Sequence, residues 1–149
     1  SVPDAARECG FPGSAHAFSI VKVTSKETWS SLGFTDANPG VTIRCSAGQN
    51  FTEKQVVLIN PNTVSLVNNP KIFKSVVVHE LGHAIGLDHS CDPSNAGNPG
   101  FASCAPLKND LNHDYRQAVM YPIVETGRLK ESPRANDQER ATCALNYRP

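Results

Sequence analysis

The chain lacks any run approaching the roughly 20 apolar residues that a membrane-spanning helix needs. It also lacks a charge excess, since 14 Lys and Arg balance 14 Asp and Glu. That balance gives no electrostatic footprint for nucleic acid or for an acidic membrane surface. The opening Ser1-Val-Pro-Asp is polar and does not read as a signal sequence, so a processed or trimmed product is expected. No Cys-x-x-Cys pair occurs, so nothing points to a cysteine-bound zinc. Methionine occurs once, at Met120, and tryptophan once, at Trp29.

What is present describes an ordinary globular protein, with 39% hydrophobic and 19% charged residues. A length of 149 residues supports one core but not two, so residues 1–149 read as a single, monomeric domain. Five cysteines fit an oxidising compartment, with two disulfides and one thiol left over, and hence a secreted protein. Residues 1–14 are rich in Pro, Gly and Ala and read as an irregular arm.

Strands are expected over Ala17–Thr24, Val41–Cys45 and Gln55–Asn60, with an edge strand at Thr63–Val67 between two prolines. Ser25 caps a short helix that ends at Gly33, with Trp29 packed inward. Asn69-Pro70 is a helix start, Asn as cap and Pro at the first position. The helix is expected to run to about Leu87, with Ile72, Val76, Leu81 and Ile85 as its apolar surface. Residues 91–117 are irregular and held by a Cys91–Cys104 bridge. Asp92, Asp110 or Asp114 in that stretch could bind calcium, and the lone His113 reads as surface or packing. Ser132 to Tyr147 forms a closing helix on which Leu145 and Tyr147 pack back and Cys143 ties to Cys45 or Cys9.

The chemistry sits in His79-Glu80-Leu-Gly-His83-Ala-Ile-Gly86-Leu-Asp-His89-Ser90. His79 and His83 are four residues apart, so on a helix their imidazoles stand one turn apart on one face. Two such imidazoles share a divalent ion, with zinc the default for an all-nitrogen set. Glu80 is the general base for a water that the metal activates. Gly86 lets the chain leave the helix axis and bring His89 round as third ligand. Asp88 is the neighbouring rival for that role, better suited to a supporting carboxylate.

This run resembles the long zinc consensus of the metzincin metalloproteases, and Ser90 after the third His resembles the matrixin branch. Ala118-Val119-Met120-Tyr121-Pro122 is similar to the matrixin methionine turn, with Met120 as apolar floor beneath the histidines. The acidic start of the last helix, Asn136–Arg140, also resembles that of snapalysins. The resemblance implies an α+β metzincin-like zincin: a small twisted mixed β-sheet with the active-site helix, then an irregular lower subdomain with the methionine turn and a C-terminal helix. It further implies a secreted zinc endopeptidase acting on an extended polypeptide, with Tyr121, Pro122, Ile123 and Val124 walling the substrate pocket. Val124 stands where matrixins usually carry an aromatic residue.

Cys9-Gly10-Phe11-Pro12 is similar to the matrixin latency core, whose thiolate blocks the open zinc position. Cys9 is therefore either such a latch or one half of a disulfide to Cys45 or Cys143. Beside a broad endopeptidase stand two alternatives: a protease narrowed to one processing target, and a catalytically silent zinc-binding module.

Overall fold

A computed structural model describes residues 18–46, 52–60, 69–94, 102–125 and 127–146. The expectations for the arm 1–14, for Cys9, for Thr63–Val67 and for Tyr147 lie outside these residues. In chain order the elements are β1 (Phe18–Lys22), α1 (Lys26–Ser31), β2 (Gly40–Ser46), β3 (Thr52–Ile59), α2 (Pro70–Ala84), a 3-10 turn (Pro106–Lys108), α3 (Asp114–Gln117) and α4 (Ala135–Asn146).

The sheet is mixed, in the order β1-β3-β2. β3 pairs in parallel with β1 and antiparallel with β2, with Ile43 opposite Val56. As the central strand, β3 has both faces covered, which is why Val56, Val57, Leu58 and Ile59 run apolar without alternation and are all at most 1% exposed. Val57 and Ile59 pack on Ile72, Val76 and Ala84 of α2. Val56 and Leu58 pack on Val23 and Trp29 on the other side. Each such fully buried side chain contributes about 1.5–3 kcal/mol.

Trp29 anchors the α1 side. Ser25 caps α1 through its hydroxyl, 3.2 Å from the Thr28 N–H. Trp29 is fully buried, its indole N–H donating to Thr35 O at 2.9 Å and its ring centroid 5.0 Å from that of Phe34.

The cap on α2 is Asn69, whose side-chain oxygen accepts from the N–H groups of Lys71 and Ile72 at 3.1 and 3.3 Å. The helix stops three residues short of the expected end, at Ala84 rather than Leu87. Ile85 consequently sits past the last turn and is 69% exposed, not part of the apolar face. Gly86, at φ 104°, turns the chain off the axis, a conformation that a side chain would strain.

Below α2 the chain is held by cross-links more than by regular structure. Cys91 and Cys104 form the expected disulfide, their Cα atoms 5.1 Å apart, and pack with Leu107 and Tyr121. Closing a loop across a sequence separation of 13 contributes about 3 kcal/mol in the chain-entropy view. His113 is the N-cap of α3, its Nδ1 accepting from Tyr115 N at 3.2 Å.

Two expectations for the last helix fail. Cys143 is a free, exposed thiol rather than a tether, and Cys45 is disulfide-bonded. Leu145 is 64% exposed rather than packed back. Both follow from where α4 leaves the body: its contacts run through Asp137, Arg140 and Ala141, and every described residue from Thr142 on is exposed.

Candidate metal centre

Helical spacing and one turn after the helix bring three imidazoles together. The potential ligand atoms of His79, His83 and His89 all lie within 4.8 Å of one another. Their ring centroids are 4.8 Å (His79–His83), 5.3 Å (His79–His89) and 4.8 Å (His83–His89) apart. Among the described residues this is the one group of three or more candidate metal-ligating side chains. Asp88, the rival third ligand, is exposed and outside the group. Of the acidic residues in the irregular stretch, Asp92 accepts from Ser94 N–H and hydroxyl at 2.8 and 2.6 Å, and Asp110 from Asn112 N at 3.1 Å.

The imidazoles are prepared for a cation in two ways. Burial holds them neutral: His79 and His89 are pushed down to about 4, and His83 is also lowered. His79 Nδ1 lies 2.7 Å from Val119 O, and His83 Nδ1 2.7 Å from Leu87 O. A carbonyl oxygen only accepts, so Nδ1 carries the hydrogen on both rings and Nε2 is left as the free lone pair. Three neutral imidazoles, two of them oriented by these hydrogen bonds, fit a borderline-soft divalent ion such as zinc.

Glu80 follows His79 on α2 and is 5% exposed. Thr42 Oγ1 on β2 lies 2.7 Å from Glu80 Oε2 and 2.9 Å from Glu80 O. Burial pushes the Glu80 carboxyl up to about 7, against the opposing pull of the Thr42 hydroxyl. Gly40 completes this wall, since a Cβ there would come within 2.9 Å of Glu80 Cγ. Neither Thr42 nor Gly40 carries any motif that would single it out in the sequence.

Met120 is fully buried, packed with Leu87 and Val119. Gly82 of α2 must lack a side chain because a Cβ would overlap the Met120 sulfur. The turn Ala118–Tyr121 is fixed by Asp137 at the start of α4, whose carboxylate accepts from Val119 N at 2.8 Å, Met120 N at 3.1 Å and Arg134 N at 2.8 Å. Ser90 closes the ring, donating its N–H to Met120 O at 2.8 Å and its hydroxyl to Tyr115 O at 2.7 Å. The acidic start of α4 is visible in the sequence; its partners forty residues from the histidine helix are not.

The histidines and Glu80 open onto a cleft of about 550 Å³. One wall is β2 with the turn before it, including Pro39, Val41 and Arg44. Arg44 donates to His83 O, with Nε at 3.1 Å. Tyr121, Pro122, Ile123 and Val124 also line the cleft, the last two 42% and 40% exposed. Lys130 lines the same cleft and has no counterpart among the expected site residues.

The family model Reprolysin_5, metallo-peptidase family M12, matches residues 11–135, which is most of the chain. No curated protein and no solved structure matches it significantly.

Proposed function

Because the chain belongs to metallopeptidase family M12, we propose that it is a secreted, zinc-dependent endopeptidase of metzincin type that cuts extended polypeptides. The observation that carries the reading is the convergence of His79, His83 and His89 beside the buried carboxyl of Glu80 in one open cleft. Ser90 and the segment Ala118–Pro122 add the matrixin-like traits within that family. The Cys91–Cys104 bridge, and the lack of a helix long and apolar enough to cross a membrane among the described residues, are compatible with secretion.

His79, His83 and His89 hold the ion; when bound, zinc supplies Lewis acidity that polarises a peptide carbonyl and acidifies water. Glu80 takes the proton of the attacking water on its carboxylate and returns it to the leaving amine. Thr42 steers that carboxylate, and the raised affinity of Glu80 for a proton suits a group that must both accept and release one near neutrality. Among the described residues β2 is an edge of the sheet, so its outer backbone groups suit pairing with an extended substrate. Tyr121 to Val124 line the cleft, and Met120 keeps the floor beneath the imidazoles apolar.

The test is hydrolysis of casein and gelatin by the zinc-loaded protein, with chelator and with Glu80→Ala. Hydrolysis that chelator removes and zinc restores, and that Glu80→Ala abolishes while retaining its metal, is expected. Full activity in Glu80→Ala would overturn the assigned base. A wild-type protein that binds zinc yet cuts nothing would turn the reading toward a silent binding module.

A further inference from the structure

Lys130 lines the cleft, and among the described residues its ammonium has neither a hydrogen bond nor an ion pair. The residue is 8% exposed, and its Nζ is shielded from solvent with no hydrogen bond among the described residues. Its Nζ lies over the ring of Tyr121, 4.3 Å from the centroid, a cation–π contact. The charged groups around it are Glu125, Arg116, Asp137 and Arg128. Glu125 is engaged by Arg116 through Oε1 alone, with Arg116 Nε donating at 3.0 Å, while its buried Oε2 has no hydrogen bond and forms no ion pair with Lys130. Asp137 already accepts three backbone N–H groups, and Arg128 is turned to Leu111 O. Neither nearby acid touches Lys130.

A buried ammonium without a partner is costly, and burial accordingly pushes Lys130 down to about 8. An apolar side chain in its place would pack against Tyr121 at no such cost. The position makes chemical sense if the missing acceptor comes from outside. Lys130 lines the same cleft as His79 and Glu80, against the Tyr121 ring. A four-carbon stem with three rotatable donors can meet a carboxylate there without a fixed geometry.

We propose that this end of the cleft is a carboxylate subsite in which Lys130 receives an acidic side chain of the substrate, so that cleavage is favoured beside Asp or Glu. The inference rests on the peptidase reading and sharpens it toward a restricted specificity. A hydroxyl or amide would leave the ammonium charge uncompensated, whereas a carboxylate replaces the lost hydration with a charge-assisted bond.

Matched peptides with Glu, Gln or Leu at each position flanking the cut bond decide the matter, each made with a free and an amidated carboxyl terminus. For the zinc-loaded wild type, kcat/KM for Glu over Gln is expected to be about tenfold or more at one flanking position, the scale of one charge-assisted bond. The ratio falls to about one in Lys130→Met and returns in Lys130→Arg, by the same reasoning. Equal wild-type rates for Glu and Gln, which require no variant to fold, overturn the proposal. So does a preference that survives in Lys130→Met. Cleavage lost on amidation would move the carboxylate to the chain terminus and overturn the side-chain form. If nothing is cut, the peptidase reading falls, and anisotropy of labelled Glu and Gln peptides on Glu80→Ala still decides the subsite: tighter Glu binding that Lys130→Met abolishes upholds it, and equal binding sinks it.

Discussion

At the scale of single residues, the site is shaped by small groups that leave large ones no freedom. Glu80 is pinned between Thr42, whose hydroxyl lies 2.7 Å from Oε2, and Gly40, which has no room for a side chain. Thr42→Val keeps the shape of the wall and deletes that contact. Turnover should drop by about tenfold, the equivalent of roughly 1.5 kcal/mol for a hydrogen bond to a charged group, with zinc content unchanged. Thr42→Ser should recover most of it; a Val variant with wild-type kcat would mean the hydroxyl does not position the base. Lys130 offers a second check at this scale. Its folded pKa of about 8 lies below the ordinary 10.5 of the unfolded chain. Between those values the unfolded state holds the proton that the folded state has released, so stability rises with pH there. Below about 8 the full cost of the buried charge is present. The urea midpoint of the wild type should therefore gain on that of Lys130→Met from pH 8 to 10. A constant gap would show that Lys130 is solvated in the folded protein.

At the scale of elements, the link between α4 and the segment under α2 matters more than the length of either. Asp137 is 3% exposed and satisfies the N–H groups of Val119 and Met120, which no strand partner satisfies. Removing it leaves buried donors bare. Asp137→Ala should cost about 3–5 kcal/mol, and Asp137→Asn, which keeps one acceptor, clearly less. Urea unfolding of both variants measures this, and a loss under about 1 kcal/mol for the alanine would refute the role. This link also marks where the sequence stops being legible. The Asn69 cap, the i and i+4 histidines, the Gly86 turn and the Cys91–Cys104 bridge are all local patterns, readable because each partner lies within a few turns of chain. Thr42 with Glu80, and Asp137 with Val119, are pairs 38 and 18 residues apart, and no spacing rule connects them. Ile85 and Leu145 read as core because periodicity cannot tell where a helix ends or where its neighbour stops covering it.

At the scale of the whole molecule, the apolar core is divided rather than continuous. Two clusters flank the sheet, around Ile59 and around Trp29. Two smaller ones lie below the helix, around Tyr121 and around Met120. The lower clusters are too small to be held by burial alone, and their other ties are the disulfide, Asp137 and the histidines. His79 on α2 bonds to Val119 O, while His89 lies beyond the turn, so an ion held by all three histidines joins the helix to the lower half. A ligand that binds only the folded state stabilises it by mass action, about 4 kcal/mol at a thousandfold excess over Kd. Chelation should therefore lower the melting temperature, and zinc should restore it, in wild type but not in His89→Ala. The loss should also be local. On chelation the amides of Val119, Met120 and Tyr121 should exchange with solvent much faster, while those of Val56 to Leu58 in β3 change little, because the sheet has its own two clusters. Uniform acceleration across both regions would mean that the metal stabilises the fold as one cooperative unit. No acceleration at Val119 to Tyr121 would mean that Asp137 and the disulfide hold the lower half without it.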